Sequence, residues 1–241
     1  AFYDCSSLSS VIIPSSLVQI GSHAFENCYS LTSLVIPNSV TSIDNFAFCN
    51  CTALSSLSIS EELVYLGDWA FSGCSSLANV VLPESLTFIA WGVFEGCTSL
   101  ESIVVPQDIS VIGFSAFCGC KSLRSITIPK KVSQVGNWAF SQCPSLETVY
   151  CYAPTPPLLD LESFEIDRAI LFVPCYLVET YQSDVSWNTF FNTIQCIGDE
   201  DIETSVENTQ SPISNTQKVL RNGQLIILRD GVEYNAVGSR L

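Results

Sequence analysis

The chain has 241 residues and a formal net charge of -15, from 24 acidic and nine basic side chains, while 47% of its residues are hydrophobic. The negative charge opposes binding to nucleic acids and to anionic membrane surfaces. The apolar content excludes a disordered acidic chain. No run approaches the ~18 apolar residues of a membrane-spanning helix, so we expect a folded protein with no transmembrane segment and no nucleic-acid partner.

The chain opens on Ala1 and contains no methionine. This favours a natural N-terminus further upstream, together with any signal peptide, so the lack of a targeting segment excludes no cellular location.

Three residue types recur with a period of 23, which is the signature of a repeat protein. The cysteine column is Cys5, Cys28, Cys51, Cys74, Cys97, Cys120 and Cys143. The phenylalanine column is Phe2, Phe25, Phe48, Phe71, Phe94, Phe117 and Phe140. The leucine column is Leu8, Leu31, Leu54, Leu77, Leu100, Leu123 and Leu146. Each repeat therefore places the same side chains at the same positions.

Each repeat also contains a short strand signal followed by a turn. Apolar residues two apart, such as Val80 and Leu82, predict a strand with one buried face. A proline such as Pro83 then ends the strand because it has no backbone donor. One such coil has no partner for its apolar side, but coils stacked at ~4.8 Å form a continuous core. Seven coils predict a rod roughly 30 Å long.

The repeat resembles the BspA-like leucine-rich repeats of bacterial surface proteins. The resemblance rests on seven copies of a consensus seen in Ala70–Leu77 (Ala-Phe-Ser-Gly-Cys-Ser-Ser-Leu) and in Val81-Leu82-Pro83. It implies a leucine-rich-repeat right-handed solenoid of about seven 23-residue coils with a C-terminal cap, an α/β-type repeat fold that is mainly β with short helical or irregular turns. It also implies a secreted or cell-surface protein with roles in adhesion to host proteins or other cells. The departures from the consensus are Ser60, Val93, Asp44 and Ala90.

The sequence predicts four segments. Residues 1–150 form the solenoid. Residues 151–197 form a cap, in which the phenylalanine column is lost at Ser163. Within the cap, residues 169–174 form a strand. Cys175 to Tyr181, with Trp187, Phe190 and Phe191, form a short amphipathic helix and turn that cover the end. Residues 198–217 are rich in acidic and small polar residues and form a linker. Residues 218–241 form a β-hairpin tail, marked by Asn-Gly and Asp-Gly, that resembles the secretion or sorting tails of exported bacterial proteins.

Seven stacked cysteines allow three interpretations: buried free thiols, disulfides between neighbouring coils, or metal ligands. We favour free thiols, because a small apolar side chain suits a solenoid interior and pairing along seven positions leaves one over. Cys49 and Cys118 lie outside the column and are predicted to be the more reactive thiols. Each forms a Cys-x-Cys pair with a column member, Cys49 with Cys51 and Cys118 with Cys120. Neither pair has a nearby histidine or third cysteine to complete a tetrahedral site, so no metal is expected.

Catalytic residues are not expected. His23 is the only histidine, and its place before a turn favours a surface residue over a general base. Parallel β-helix enzymes that act on polysaccharides need two facing carboxylates, and here Asp44 and Asp68 are one column out of register. We therefore predict a protein that is not an enzyme and needs no cofactor.

Five aromatic residues occupy the two positions that precede the Ala-Phe pair, outside the inward columns, and are the predicted ligand-binding residues: Phe46, Trp69, Trp91, Phe114 and Trp138. Exposed rings along a rod would anchor a protein partner or stack on sugar rings. The alternative is that they pack on one another and shield the coil edge. The outward strand columns are small, uncharged and partly apolar, which suits docking of a protein but also follows from strand propensity.

These observations favour a non-catalytic extracellular or cell-surface module for protein interaction or adhesion. Its expected partners are host extracellular or bacterial surface proteins, with glycans as a second class. The alternatives are a carbohydrate-binding or polysaccharide-acting β-helix and a structural spacer. Since 13 of the 24 acidic residues lie beyond residue 150, the repeat surface is closer to neutral than the total charge implies.

Overall fold

A computed structural model describes residues 1–160, 162–165 and 169–197, together with the backbone of three strands between residues 216 and 235. The chain divides into two compact units, Ala1–Asp199 and Glu200–Leu241. The first unit contains the repeats and is a parallel β-solenoid, which confirms the predicted fold class.

Each coil contributes two short strands, and strands from successive coils pair in parallel along two faces. Face A is built from β2 (Ser33–Val35), β4 (Ser56–Ser58), β6 (Asn79–Val81), β8 (Ser102–Val104), β10 (Ser125–Ile128), β12 (Thr148–Cys151), β14 (Ile170–Val173) and β15 (Thr193–Cys196). Face B is built from β1 (Gln19–Ile20), β3 (Ser42–Ile43), β5 (Tyr65–Leu66), β7 (Phe88–Ile89), β9 (Val111–Ile112), β11 (Gln134–Val135) and β13 (Leu158–Leu159).

The register repeats the 23-residue period, so like residues lie over like. On face A, Ser33 pairs with Ser56, and on face B, Gln19 pairs with Ser42. A third ladder follows the phenylalanine column, where the N–H of Phe48 donates to the carbonyl of Ala70 at 2.8 Å. The backbone groups at this corner are thus satisfied by the next coil.

The interior of the solenoid is a stack of phenylalanine rings. Successive rings lie 5.0 to 6.0 Å apart between centroids and within 12° of parallel, from Phe2 to Phe164. The prediction that the column is lost at Ser163 is wrong, because one extra residue in this coil moves the ring to Phe164. The solenoid therefore has about eight turns, the last of them irregular.

The cysteine column runs beside the rings as free thiols. Cys5 is exposed, whereas Cys28, Cys51, Cys74, Cys97, Cys120 and Cys143 are buried. The thiol of Cys97 donates to the carbonyl of Phe71 at 3.2 Å, and the other buried members make the equivalent contact to the preceding coil. Each buried thiol thus gains an acceptor, and burial raises the pKa of Cys97 well above its usual value.

The glycine column shows how closely the coils approach. A Cβ atom at Gly113 would lie 2.7 Å from the carbonyl oxygen of Ile89 and 2.9 Å from the carbonyl carbon of Ala90, whereas a Cβ atom at Gly21 meets nothing within 4 Å. We therefore expect Gly113→Ala to lower the free energy of unfolding by about 1–3 kcal/mol. The matched Gly21→Ala should change it by less than about 0.5 kcal/mol. Chemical denaturation followed by circular dichroism checks both, and equal midpoints would contradict close stacking at Gly113.

Two short helices and a disulfide close the C-terminal end. A 3-10 turn (Cys175–Leu177) leads into α1 (Val178–Ser183) and α2 (Val185–Phe190). Asp184 caps α2 by accepting from the N–H groups of Ser186 and Trp187. Cys175 and Cys196 are joined by a disulfide, which ties the start of the turn to the end of β15.

The second unit contains an antiparallel sheet of three strands, β16 (Thr216–Arg221), β17 (Gln224–Arg229) and β18 (Val232–Asn235). The first strand begins two residues before the expected start of the tail. The predicted Asn-Gly and Asp-Gly turns and residues 198–215 of the predicted linker lie outside the described residues.

Candidate functional site

The predicted aromatic residues lie on one corner of the solenoid, in two adjacent columns. One column contains His23, Phe46, Trp69, Gly92, Ser115 and Trp138, all with φ between 52° and 58°. The preceding column contains Trp91 and Phe114. All five predicted side chains lie outside the buried core, and Trp91 and Trp138 are 56% and 40% exposed.

The left-handed backbone of this column makes its residue types informative. A positive φ is free of strain for glycine, which is present at Gly92, but costs about 1–2 kcal/mol for a residue with a Cβ. Bulky side chains are rare in this conformation. Phe46, Trp69 and Trp138 nevertheless adopt it, with φ of 58°, 53° and 58°. The coil thus accommodates local strain where it presents large rings.

The rings form two groups rather than one continuous row. His23, Phe46 and Trp69 stack in parallel, with centroids 5.0 and 5.4 Å apart. Trp91, Phe114 and Trp138 pack edge to face, with centroids 6.4 and 5.1 Å apart. The predicted rings therefore do pack on one another, and they also leave a break between Trp69 and Trp138.

The break is a cleft of about 480 Å³. The indole of Trp69 covers Gly92, since a Cβ atom there would lie 2.2 Å from its Nε1 atom. Ser115, which is 4% exposed, has only a short side chain in the next coil. Two successive coils thus lack a ring in this column. The lining residues are Trp69, Glu95, Phe114, Ser115, Cys118, Trp138, Ser141 and Gln142.

Carboxylates hold both tryptophan walls. The indole N–H of Trp69 donates to Oε2 of Glu95 at 2.8 Å, and that of Trp138 donates to Glu162. Glu165 accepts from the Ser141 hydroxyl at 2.5 Å. These hydrogen bonds orient the two indoles and place negative charge around the cleft.

The thiol in the cleft lies in a negative field. Burial, followed by the charges of Glu95 and Glu165, raises the pKa of Cys118. Cys49 is 8% exposed, and burial raises its pKa to about 11. A raised pKa suppresses the nucleophilic thiolate. Cys118 nevertheless has intermediate exposure, whereas Cys97 and Cys120 of the column are buried and their pKa values are raised well above the usual value. The greater reactivity of Cys49 and Cys118 stays a prediction.

The remaining candidates for chemistry lie apart from one another. His23 is exposed, its Nδ1 lies beside the Glu26 carboxylate, and its ring stacks on Phe46. Cys151 is buried against the hydroxyl of Tyr181 at 3.2 Å. Among the described residues, no group of three or more His, Cys, Asp or Glu side chains could hold a metal ion. Within the same part of the chain, no helix is long and apolar enough to cross a bilayer.

Sequence reasoning missed four residues that shape the cleft: Gly92, Ser115, Glu95 and Glu162. The signal for the first two was present, because they interrupt a column that otherwise contains rings. Glu95 lies 26 residues after Trp69, so its contact reaches the next coil and three positions beyond the equivalent of Trp69 there. Such an offset follows from side-chain direction, which the repeat columns do not encode.

The parallel stacking, the ring column and the 23-residue register define a leucine-rich-repeat solenoid. The family model for the BspA type leucine rich repeat region, in six copies, matches residues 1–121 and 90–165. The chain belongs to this family. No curated protein is significantly similar to it.

Three solved structures show how the chain compares with other repeat proteins. A leucine rich cell surface protein from Faecalibacterium prausnitzii is 36% identical, with a TM-score of 0.57 over 61% of this chain and 40% of that one. The pneumococcal vaccine antigen PcpA is 20% identical, with a TM-score of 0.58 over 68% and 41%. A leucine-rich repeat protein from Bacteroides ovatus is 26% identical, with a TM-score of 0.48 over 72% and 57%. The chain thus spans less than two thirds of the length of each.

Proposed function

We propose that this chain is a non-catalytic protein-interaction module of a secreted or cell-surface protein, which adheres to host extracellular or bacterial surface proteins. We assign Phe46, Trp69, Trp91, Phe114 and Trp138 as its binding residues. The description of the similar Faecalibacterium protein as a cell surface protein supports the location.

The observation that carries the proposal is the left-handed backbone of aromatic residues that lie outside the buried core. Trp69 and Trp138 adopt φ of 53° and 58° at a corner where glycine is free of strain. Strained positions of this kind cluster at functional sites. Tryptophan is also enriched among the residues that dominate binding energy at protein interfaces. The rings pack on one another and still leave Trp138 40% exposed, which supports a contact role for this corner.

We expect the double variant W69A/W138A to lose binding to the partner. The wild-type unit and the variant are compared for binding to immobilised extracellular-matrix proteins and to the surfaces of bacteria from the same community. Loss of two central anchors should weaken binding by at least about 30-fold. The matched control V35A/V81A removes exposed apolar side chains from the outward side of face A and should bind as the wild type does.

Four results would contradict this assignment. Unchanged binding by W69A/W138A removes the aromatic corner from the interface. Loss of binding by V35A/V81A alone moves the interface to face A. Binding to no protein, combined with hits on a glycan array or release of reducing sugars, favours the carbohydrate alternative, and no binding in any assay favours a spacer.

A further inference from the structure

The cleft between Trp69 and Trp138 has aromatic and polar side chains in its lining. Three coils separate the two residues, which corresponds to roughly 14 Å along the rod. The indole of Trp69 covers Gly92, and Ser115 and Trp138 are among the residues that line the space beyond it. The cleft is therefore a gap in the column of aromatic rings, with an aromatic side chain at each end.

The charges around the cleft all have one sign. Glu95 lines the cleft, and Glu162 and Glu165 bind its lining residues Trp138 and Ser141. None of the lining residues is a lysine or an arginine. Residues 1–120 contain ten acidic side chains and no lysine or arginine. The raised pKa of Cys118, caused partly by Glu95 and Glu165, reports the same negative field.

Aromatic faces beside carboxylates favour a cation over a neutral sugar or an anion. Among cations, guanidinium is planar, is weakly hydrated, stacks on indole rings and pairs with a carboxylate through two parallel N–H groups. Oε2 of Glu95 already accepts the indole N–H of Trp69 at 2.8 Å, and its other oxygen remains as an acceptor.

We infer that the cleft binds an arginine side chain of the partner protein, stacked against the indole of Trp69 and paired with Glu95. This inference rests on the proposed interaction function and names the chemistry of its partner. The complementary surface on the partner is a basic segment, because the charged residues that line the cleft or bind its lining residues are Glu95, Glu162 and Glu165.

The test uses blocked peptides of the pattern Gly-Arg-Gly-Arg-Gly-Arg-Gly, titrated into the full chain by calorimetry at low salt. Matched peptides replace arginine by citrulline, its neutral analogue of the same shape, or by lysine. We expect saturable binding of the arginine peptide, with the citrulline peptide weaker by at least about tenfold. The lysine peptide should be weaker by about three- to tenfold, because it lacks the planar stack and the fork.

Four variants locate the binding. Ser115→Phe fills the cleft with the ring that this column holds at Phe46, and should abolish binding. Glu95→Gln keeps an acceptor for Trp69 but removes the charge, and should weaken binding about tenfold. Glu61→Gln removes the same charge from an exposed turn, and Val81→Ala removes an exposed apolar side chain of face A that does not line the cleft. Both controls should bind within about twofold of the wild type.

Equal binding of the citrulline or lysine peptide, or the absence of any binding, overturns the arginine assignment. Equal losses of affinity in Glu95→Gln and Glu61→Gln would mean that the peptide is attracted by the net negative charge of the protein, and would overturn the site. If the circular dichroism spectrum shows that Ser115→Phe is unfolded, the comparison of Glu95→Gln with Glu61→Gln alone tests the location of the site. If the peptides fail while W69A/W138A still loses its protein partner, the interaction function stands and only the arginine chemistry fails.

Discussion

Phe117→Ala is expected to lower the free energy of unfolding of the solenoid by about 3–5 kcal/mol. The Phe117 ring is fully buried and stacks between Phe94 and Phe140, with centroids 5.9 and 5.3 Å away. Truncation leaves a cavity that rigid coils on both sides prevent from closing. Chemical denaturation followed by circular dichroism measures the loss.

The matched control is Phe2→Ala, in the same column. Phe2 is 43% exposed and stacks on Phe25 alone, at 5.2 Å. We expect its loss to cost less than about 1 kcal/mol, because little apolar surface is withdrawn from water there. A similar cost for Phe2→Ala and Phe117→Ala would contradict a core whose stability comes from contacts with neighbouring coils on both sides.

Trp187→Ala is expected to destabilise the C-terminal end by about 3–5 kcal/mol. Trp187 is fully buried, stacks on Phe191 at 5.5 Å and meets Tyr181 edge to face at 5.2 Å. Its indole N–H also donates to the buried carbonyl of Pro157 at 2.8 Å, and this acceptor would lose its partner. Exposure of Phe164 would then uncover the end of the ring column and promote end-to-end association.

Thermal unfolding and sedimentation at two protein concentrations measure both effects of Trp187→Ala. Trp187→Phe keeps an aromatic ring but has no N–H donor, so its destabilisation should be intermediate. Trp91→Ala removes a tryptophan that is 56% exposed, and should leave the sedimentation coefficient unchanged. A monomeric Trp187→Ala variant with native stability would show that the helices α1 and α2 do not protect the solenoid end.

Most of the structure of a coil could be predicted from the sequence, because the same residue pattern recurs in every repeat. A column such as Phe48, Phe71 and Phe94 has one physical explanation, which is in-register parallel stacking of identical corners. The register failed at the last coil, where one inserted residue moves the ring to Phe164. The 23-residue period cannot predict which residue occupies a column once a coil contains an inserted residue.

The sequence by itself determined the class of fold, the cysteine, phenylalanine and leucine columns of the core and the corner that carries the aromatic residues. The tertiary structure decided how those rings group, because stacking and edge contacts depend on side-chain direction across coils. It also paired Cys175 with Cys196 and brought Glu95 to the indole of Trp69. The cleft exists for the same reason: Gly92 and Ser115 mark it only once rings from coils on either side form its walls.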